Sequence, residues 1–176
     1  MTDELAGAYI YALTTVCSHA IGARNYFLAG QYVQLCQLMY VLTNIPIILL
    51  WKYYLYDAMI WLEMNESTAT MGAEWANIAI YSYVVAGLDN CLYQFLNLID
   101  KERYTSGFGI FGAVVHTITI ALLLQFNQKA GLKEIAYVHL VLSIIGLGCN
   151  FAFITYKGWL DLFWEGMVKQ LSFRVS

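Results

Sequence analysis

Charge is what this sequence has least of. Charged residues make up 12% of its 176 positions, against about 25% in an ordinary soluble domain. That deficit argues against a water-covered globule and points to an integral membrane protein. Lys and Arg number only 9, the net charge is −3, and no basic run occurs, so no nucleic-acid partner is expected. Proline occurs once, and no Ser/Gly-rich or charged stretch interrupts the chain, so residues 1–176 read as one transmembrane domain. The opening MTDELAGAYIY lacks the positive segment of a signal peptide.

Chemical motifs are equally scarce. No Cys-x-x-Cys pair occurs, and Cys17, Cys36, Cys91 and Cys149 lie in separate apolar segments. They read as small buried hydrophobes, not as disulfides or metal ligands. Gly107-Phe-Gly109 fails the dinucleotide pattern because no strand precedes it. No nucleophile–base pair, phosphate-cradling loop or paired carboxylates stand out. Neither an enzyme nor a cofactor is expected.

What is abundant is apolar length. Hydrophobic residues make up 60% of the chain, with a mean hydropathy of +0.59. The fold expected is all-α: a polytopic bundle of about five membrane helices. Leu5–Gly22 is a marginal span, broken by Thr14, Thr15, Ser18 and His19, with Gly22 in the turn at its end and Arg24 beyond. Gln31–Trp51 is the second, with Gln34, Gln37 and Asn44 on one side as candidate interhelical hydrogen bonds and Pro46 as a kink. Trp51, Tyr53, Tyr54 and Tyr56 follow as an aromatic belt. Tyr54–Leu62 then reads as an interfacial helical turn and Met64–Gly72 as a loop, where Asn65-Glu-Ser67 fits the glycosylation pattern. Ser106–Phe126 and Glu134–Tyr156 are the fourth and fifth spans. Each carries a face of small and polar residues on which another helix should pack. Gly109, Gly112, Ala113, His116 and Thr119 form the first face; Ala136, His139, Ser143, Gly146 and Asn150 form the second. An amphipathic tail at about 157–176 places Trp159, Leu162, Phe163 and Met167 in the membrane interface.

The third span, Trp75–Ile99, contains a carboxylate, Asp89, near its middle. Wound as a helix, it puts Ser82, Asp89, Asn90, Tyr93, Gln94 and Asn97 on one side. Ile80, Val84, Leu88, Leu92, Phe95, Leu98 and Ile99 fall on the other, which reads as the lipid side. An Asp at the bilayer centre costs about 2.5–3.5 kcal/mol on insertion scales, so the polar side must face other helices or a wet cavity. Arg24, Lys101, Arg103, Lys157, Lys169 and Arg174 sort to one side of the membrane, and Lys52, Lys129 and Lys133 to the other. By the positive-inside rule the first side is cytoplasmic.

Several stretches resemble one family. Leu13–Leu35, LTTVCSHAIGARNYFLAGQYVQL, is similar to the second-to-third helix junction of multidrug and toxic compound extrusion (MATE) transporters, and Asn44–Trp51, NIPIILLW, to the end of their third helix. His116 stands where many members have His, and Ser143–Asn150 resembles part of their sixth helix. Thr14 and His19 replace the family's Asp and Gln, and Ile120 replaces an Asn. The resemblance covers helices two to six of the first of two six-helix lobes. It implies a secondary transporter that exchanges an organic compound for H⁺ or Na⁺, with a second lobe or a second copy of the chain as partner. The alternative is a non-transporting membrane scaffold or transporter fragment that binds other membrane proteins.

The candidate substrate- or ion-binding residues are Asp89, Asn150, His116, His139 and Gln94. Asp89 has two readings: a proton or cation site, or a structural Asp hydrogen-bonded to a neighbouring helix. His116 and His139 lie on small-residue faces and read first as packing residues. The resemblance places Asn150 in a cavity-lining region.

Overall fold

The computed structural model describes residues 2–126, 131–161 and 163. Among them are five helices and no strand: α1 (Thr2–Gly22), α2 (Tyr26–Trp61), α3 (Glu66–Leu98), α4 (Glu102–Phe126) and α5 (Leu132–Tyr156). The connections between the first four are too short for anything but antiparallel neighbours. Arg24, Glu63 and Asp100 close α1, α2 and α3 in the left-handed region, at φ +56°, +59° and +60°. In each case the next amide bonds back into the last turn; Lys101 N, for example, reaches Leu96 O at 3.0 Å. This is the Schellman closure. Arg24, not Gly22, therefore takes the special conformation at the first turn.

By length and composition α2, α4 and α5 can each cross a membrane. The chain is an integral, multi-pass membrane protein. Helix α2 runs through Pro46 without a break. It absorbs the stretch expected to be a separate interfacial turn, and α3 absorbs most of the expected loop at 64–72. At 1.5 Å per residue the two helices are about 54 and 50 Å long, against a hydrocarbon core of about 30 Å. The tip of their hairpin therefore reaches beyond that core. Asn65, the residue of the glycosylation pattern, is the N-cap of α3, and its side chain accepts from Ser67 N at 3.2 Å.

Helix α3 is the centre of the bundle and touches all four others. That placement overturns the expected lipid side. Leu92 and Phe95 are buried, as are Cys91 and Leu96 between the expected sides. An amphipathic reading assigns one face to lipid, but neighbours cover much of that face of α3, while Tyr81, Tyr83 and Asn90 stay exposed. Polar residues make α3 less apolar than α2, α4 or α5, and its neighbours shield it. Helices α1 and α2 pack on it from one direction, and α4 and α5 from another.

Tight contacts fix the first group. Tyr40 of α2 is buried, and its hydroxyl donates to Tyr83 O of α3 at 3.1 Å. Its ring lies against Gly87, where any Cβ would overlap the phenol. Tyr9 joins α1 to α2 through Thr43, whose hydroxyl lies 3.0 Å from the Tyr9 oxygen. Asn44 bonds its own helix at Tyr40 O, so it is not the interhelical link expected of it. Cys17, Cys36 and Cys91 are buried where the three helices meet, and all four cysteines are free. Cys149 departs from expectation and is exposed on the outside of α5.

The start of the tail folds inward. Leu160 and Phe163 are buried, and the Phe163 ring meets Phe95 edge-on at 4.7 Å and Tyr26 at 5.6 Å. Phe163 therefore belongs to the core and not to the membrane interface. Trp159 packs on Tyr104 at 5.1 Å and under the Lys101 ammonium at 5.3 Å. The rest of the expected interfacial tail, with Leu162 and Met167, lies outside the described residues. The small face of α4 also departs from expectation. Among the described residues nothing lies within 4 Å of a Cβ built on Gly109 or Gly112, so no described helix packs there.

Candidate functional site

Three helices converge on one carboxyl. Asp89 lies nine residues before the end of α3, about 13 Å along the axis. It is half-buried between α3 and α5. Asn150 of α5 is completely buried, and its amide N–H donates to Asp89 Oδ1. The Asn150 carbonyl oxygen in turn accepts from the Tyr104 hydroxyl of α4 at 2.9 Å. Tyr93, one turn beyond Asp89 on α3, stands beside the carboxyl. The result is a chain of polar side chains, Tyr104–Asn150–Asp89–Tyr93, joining α4, α5 and α3.

Its placement follows from the local fold. The three-residue turn after Leu98 reverses the chain, so the first turn of α4 stands beside the last turns of α3. Thr105 fastens that corner: its hydroxyl lies 2.6 Å from Asn97 Oδ1 and 2.9 Å from Glu102 O. Tyr104 is then stacked on Phe153 of α5, with ring centroids 4.8 Å apart and planes 5° from parallel. Stacking aims the hydroxyl at Asn150, one turn before Phe153. Asn150 uses both ends of its amide, so its orientation is set by the network. No Lys or Arg bonds to the carboxyl among the described residues. The group is held by neutral donors, which leaves it able to exchange a proton or accept a cation without first breaking an ion pair.

The other candidates separate. His116 and His139 meet across α4 and α5, their ring centroids 4.6 Å apart at 79°. They lie toward the opposite end of α5, eleven residues from Asn150, or about 16 Å. They are thus a separate place from the Asp89 network. Gln94 is half-buried on α3 and makes no hydrogen bond among the described residues. Sequence reasoning missed Tyr104, which stood in a charged turn with no periodicity to mark it. The one available signal was its place in the first turn of a helix that folds straight back.

A cleft of about 420 Å³ opens between α2, α3 and α5 on the other side of the membrane, with Lys52, Asn77, Tyr81 and Tyr137 in its wall. Beside it Lys133 and Glu74 pair at 3.5 Å, both about half exposed. A pair so exposed adds little stability, but it ties the start of α5 to α3.

The sequence pattern of the MatE family matches residues 6–122, from α1 through most of α4. Two proteins of Arabidopsis thaliana are similar along most of the chain. Protein DETOXIFICATION 16 is 24% identical over 162 residues, covering 90% of this chain and 32% of its own length. Protein DETOXIFICATION 15 is 25% identical over 165 residues, covering 90% of this chain and 33% of its own. This chain thus spans about a third of the length of these relatives. No solved structure matches it significantly. The match at residues 6–122 takes in more than half of the sequence, and the chain belongs to the MatE family.

Proposed function

We propose that this chain forms part of a secondary active transporter that exports an organic compound in exchange for H⁺ or Na⁺. The Asp89 network is its coupling site. The observation that carries this reading is a half-buried carboxyl inside an apolar bundle, held among the described residues by a network of neutral side chains that spans three helices. A membrane protein retains so costly a group where its charge changes in the working cycle. Asp89 is the group that takes up or releases the proton or cation. Asn150 and Tyr104 position it, and Tyr93 shares it. Alternating access rocks one lobe or repeat against another around a central site, so a second lobe or a second copy of this chain supplies the opposing wall. The Lys/Arg-rich ends, at Arg24, Lys101, Arg103 and Lys157, face the cytoplasm.

A second reading, a membrane scaffold or transporter fragment that binds other membrane proteins, is favoured by one feature. No described residue covers the small-residue face of α4 at Gly109 and Gly112, and such faces admit close helix approach. Reconstitution separates the two. In proteoliposomes, ethidium efflux driven by a proton or sodium gradient is expected from the chain paired with its second lobe or a second copy. Asp89→Asn should lower it at least tenfold. Gradient-driven efflux that survives Asp89→Asn would remove the coupling role, and no efflux from any assembly would leave the scaffold reading.

A further inference from the structure

The His116–His139 pair is independent of the Asp89 network and of any transport reading. We propose that these two side chains form a divalent transition-metal site that clamps α4 to α5.

Four observations support it. First, the spacing fits. A metal–nitrogen bond of about 2.0–2.1 Å places an ion about 3.2 Å from an imidazole centroid. Rings 4.6 Å apart then share one ion at a nitrogen–metal–nitrogen angle of about 90°, the relation of neighbouring ligands in a tetragonal site. The rings now meet edge to face, and His χ2 is a soft torsion. Turning the His116 ring about χ2 leaves its centroid nearly in place and the His139–Ser143 contact intact, so the spacing holds through the adjustment. Second, His116 Nε2 is buried and finds no hydrogen-bond partner among the described residues. A buried ring nitrogen left so requires a reason, and a metal is one that an imidazole serves well.

Third, Ser143 prepares His139. Its hydroxyl donates to the His139 carbonyl oxygen at 2.9 Å and lies 3.4 Å from Nδ1. With its proton committed to the carbonyl, the Ser143 oxygen can only accept from Nδ1–H. That selects the tautomer whose Nε2 carries the free lone pair, the arrangement in which a second partner orients a metal-bound imidazole. Fourth, His139 is exposed on the outer surface of α5, so no described helix covers the ring. No group of three or more His, Cys, Asp or Glu able to hold a metal exists among the described residues. The site is therefore two-point, with water in the remaining positions. Its consequence is mechanical: α4 packs chiefly on α3 and α5 among the described helices, and a shared ion would pin this outer helix at mid-length.

Ni²⁺ is the probe, because imidazole suits it. Isothermal titration of the purified chain in detergent micelles is expected to show one Ni²⁺ bound. His116→Ala and His139→Ala should each weaken binding at least tenfold. His19→Ala, on α1, should leave it unchanged. Diethylpyrocarbonate labelling read by mass spectrometry needs no substitution: Ni²⁺ should protect His116 and His139 together and leave His19 reactive. The proposal is overturned if Ni²⁺ does not bind, if both alanine variants bind as tightly as wild type, or if only one ring of the pair is protected.

Discussion

Replacing Gly87 with alanine is expected to destabilise the bundle by about 3 kcal/mol, at the upper end of what overpacking a core costs. The added Cβ would fall on the Tyr40 ring. Tyr40 has nowhere to retreat: it is 4% exposed, and its hydroxyl is tied to Tyr83 O. Either α2 moves off α3, or the ring leaves its slot and the hydrogen bond, worth about 1 kcal/mol, is lost with it. Gly112→Ala is the matched control, because a Cβ there meets nothing. Thermal unfolding in detergent should separate the two clearly. Tyr40→Leu removes the obstructing hydroxyl, so Gly87→Ala should cost much less in that background, a non-additivity that marks direct contact. Equal stability of Gly87→Ala and Gly112→Ala would refute the α2–α3 packing described here.

Asn150→Leu is expected to cost about 2 kcal/mol and to abolish transport. Leucine fills the same buried place but bonds to neither Asp89 nor Tyr104. Leaving a buried polar group without its partner is the expensive half of deleting a hydrogen bond. Removing both partners of such a bond can be nearly neutral, so Asp89→Leu combined with Asn150→Leu should recover most of the lost stability. Activity should not return with it. That divergence between unfolding and flux distinguishes a working site from one that only fastens helices. If the double variant regains both stability and flux, the network is structural.

Much of this architecture was legible in the sequence because the bilayer leaves few options. Apolar length alone located α2, α4 and α5, and the charged turn at Asp100–Arg103 marked the reversal into α4. Asp89 was legible as an anomaly, a carboxylate inside an apolar run, and Asn150 as a polar residue on a small face. Their pairing was not legible: they lie 61 positions apart, and helical periodicity says which side a residue is on but not what stands opposite. The error over Leu92 and Phe95 has the same origin. A two-sided pattern was read on α3 as lipid against protein, whereas Leu92 and Phe95 of the supposed lipid side are buried against other helices and Asn90 of the polar side is exposed. The hairpin was misread because Trp51, Tyr53, Tyr54 and Tyr56 look like an interfacial ending. In the fold they are the solvent-side continuation of a helix that has already crossed. Tyr104 was missed because its role depends on a stacking partner from another helix.

Infrared difference spectroscopy tests the central claim, that Asp89 changes state when the transporter binds its cargo. The assembled protein in lipid membranes, with and without ethidium, should show a change in a carboxyl stretching band. That change should vanish in Asp89→Asn and shift in Asn150→Leu, which removes the hydrogen-bond donor to the same carboxyl. A wild-type difference spectrum without any carboxyl change, or one that persists unaltered in Asp89→Asn, would contradict the account and leave Asp89 as a fastening between α3 and α5.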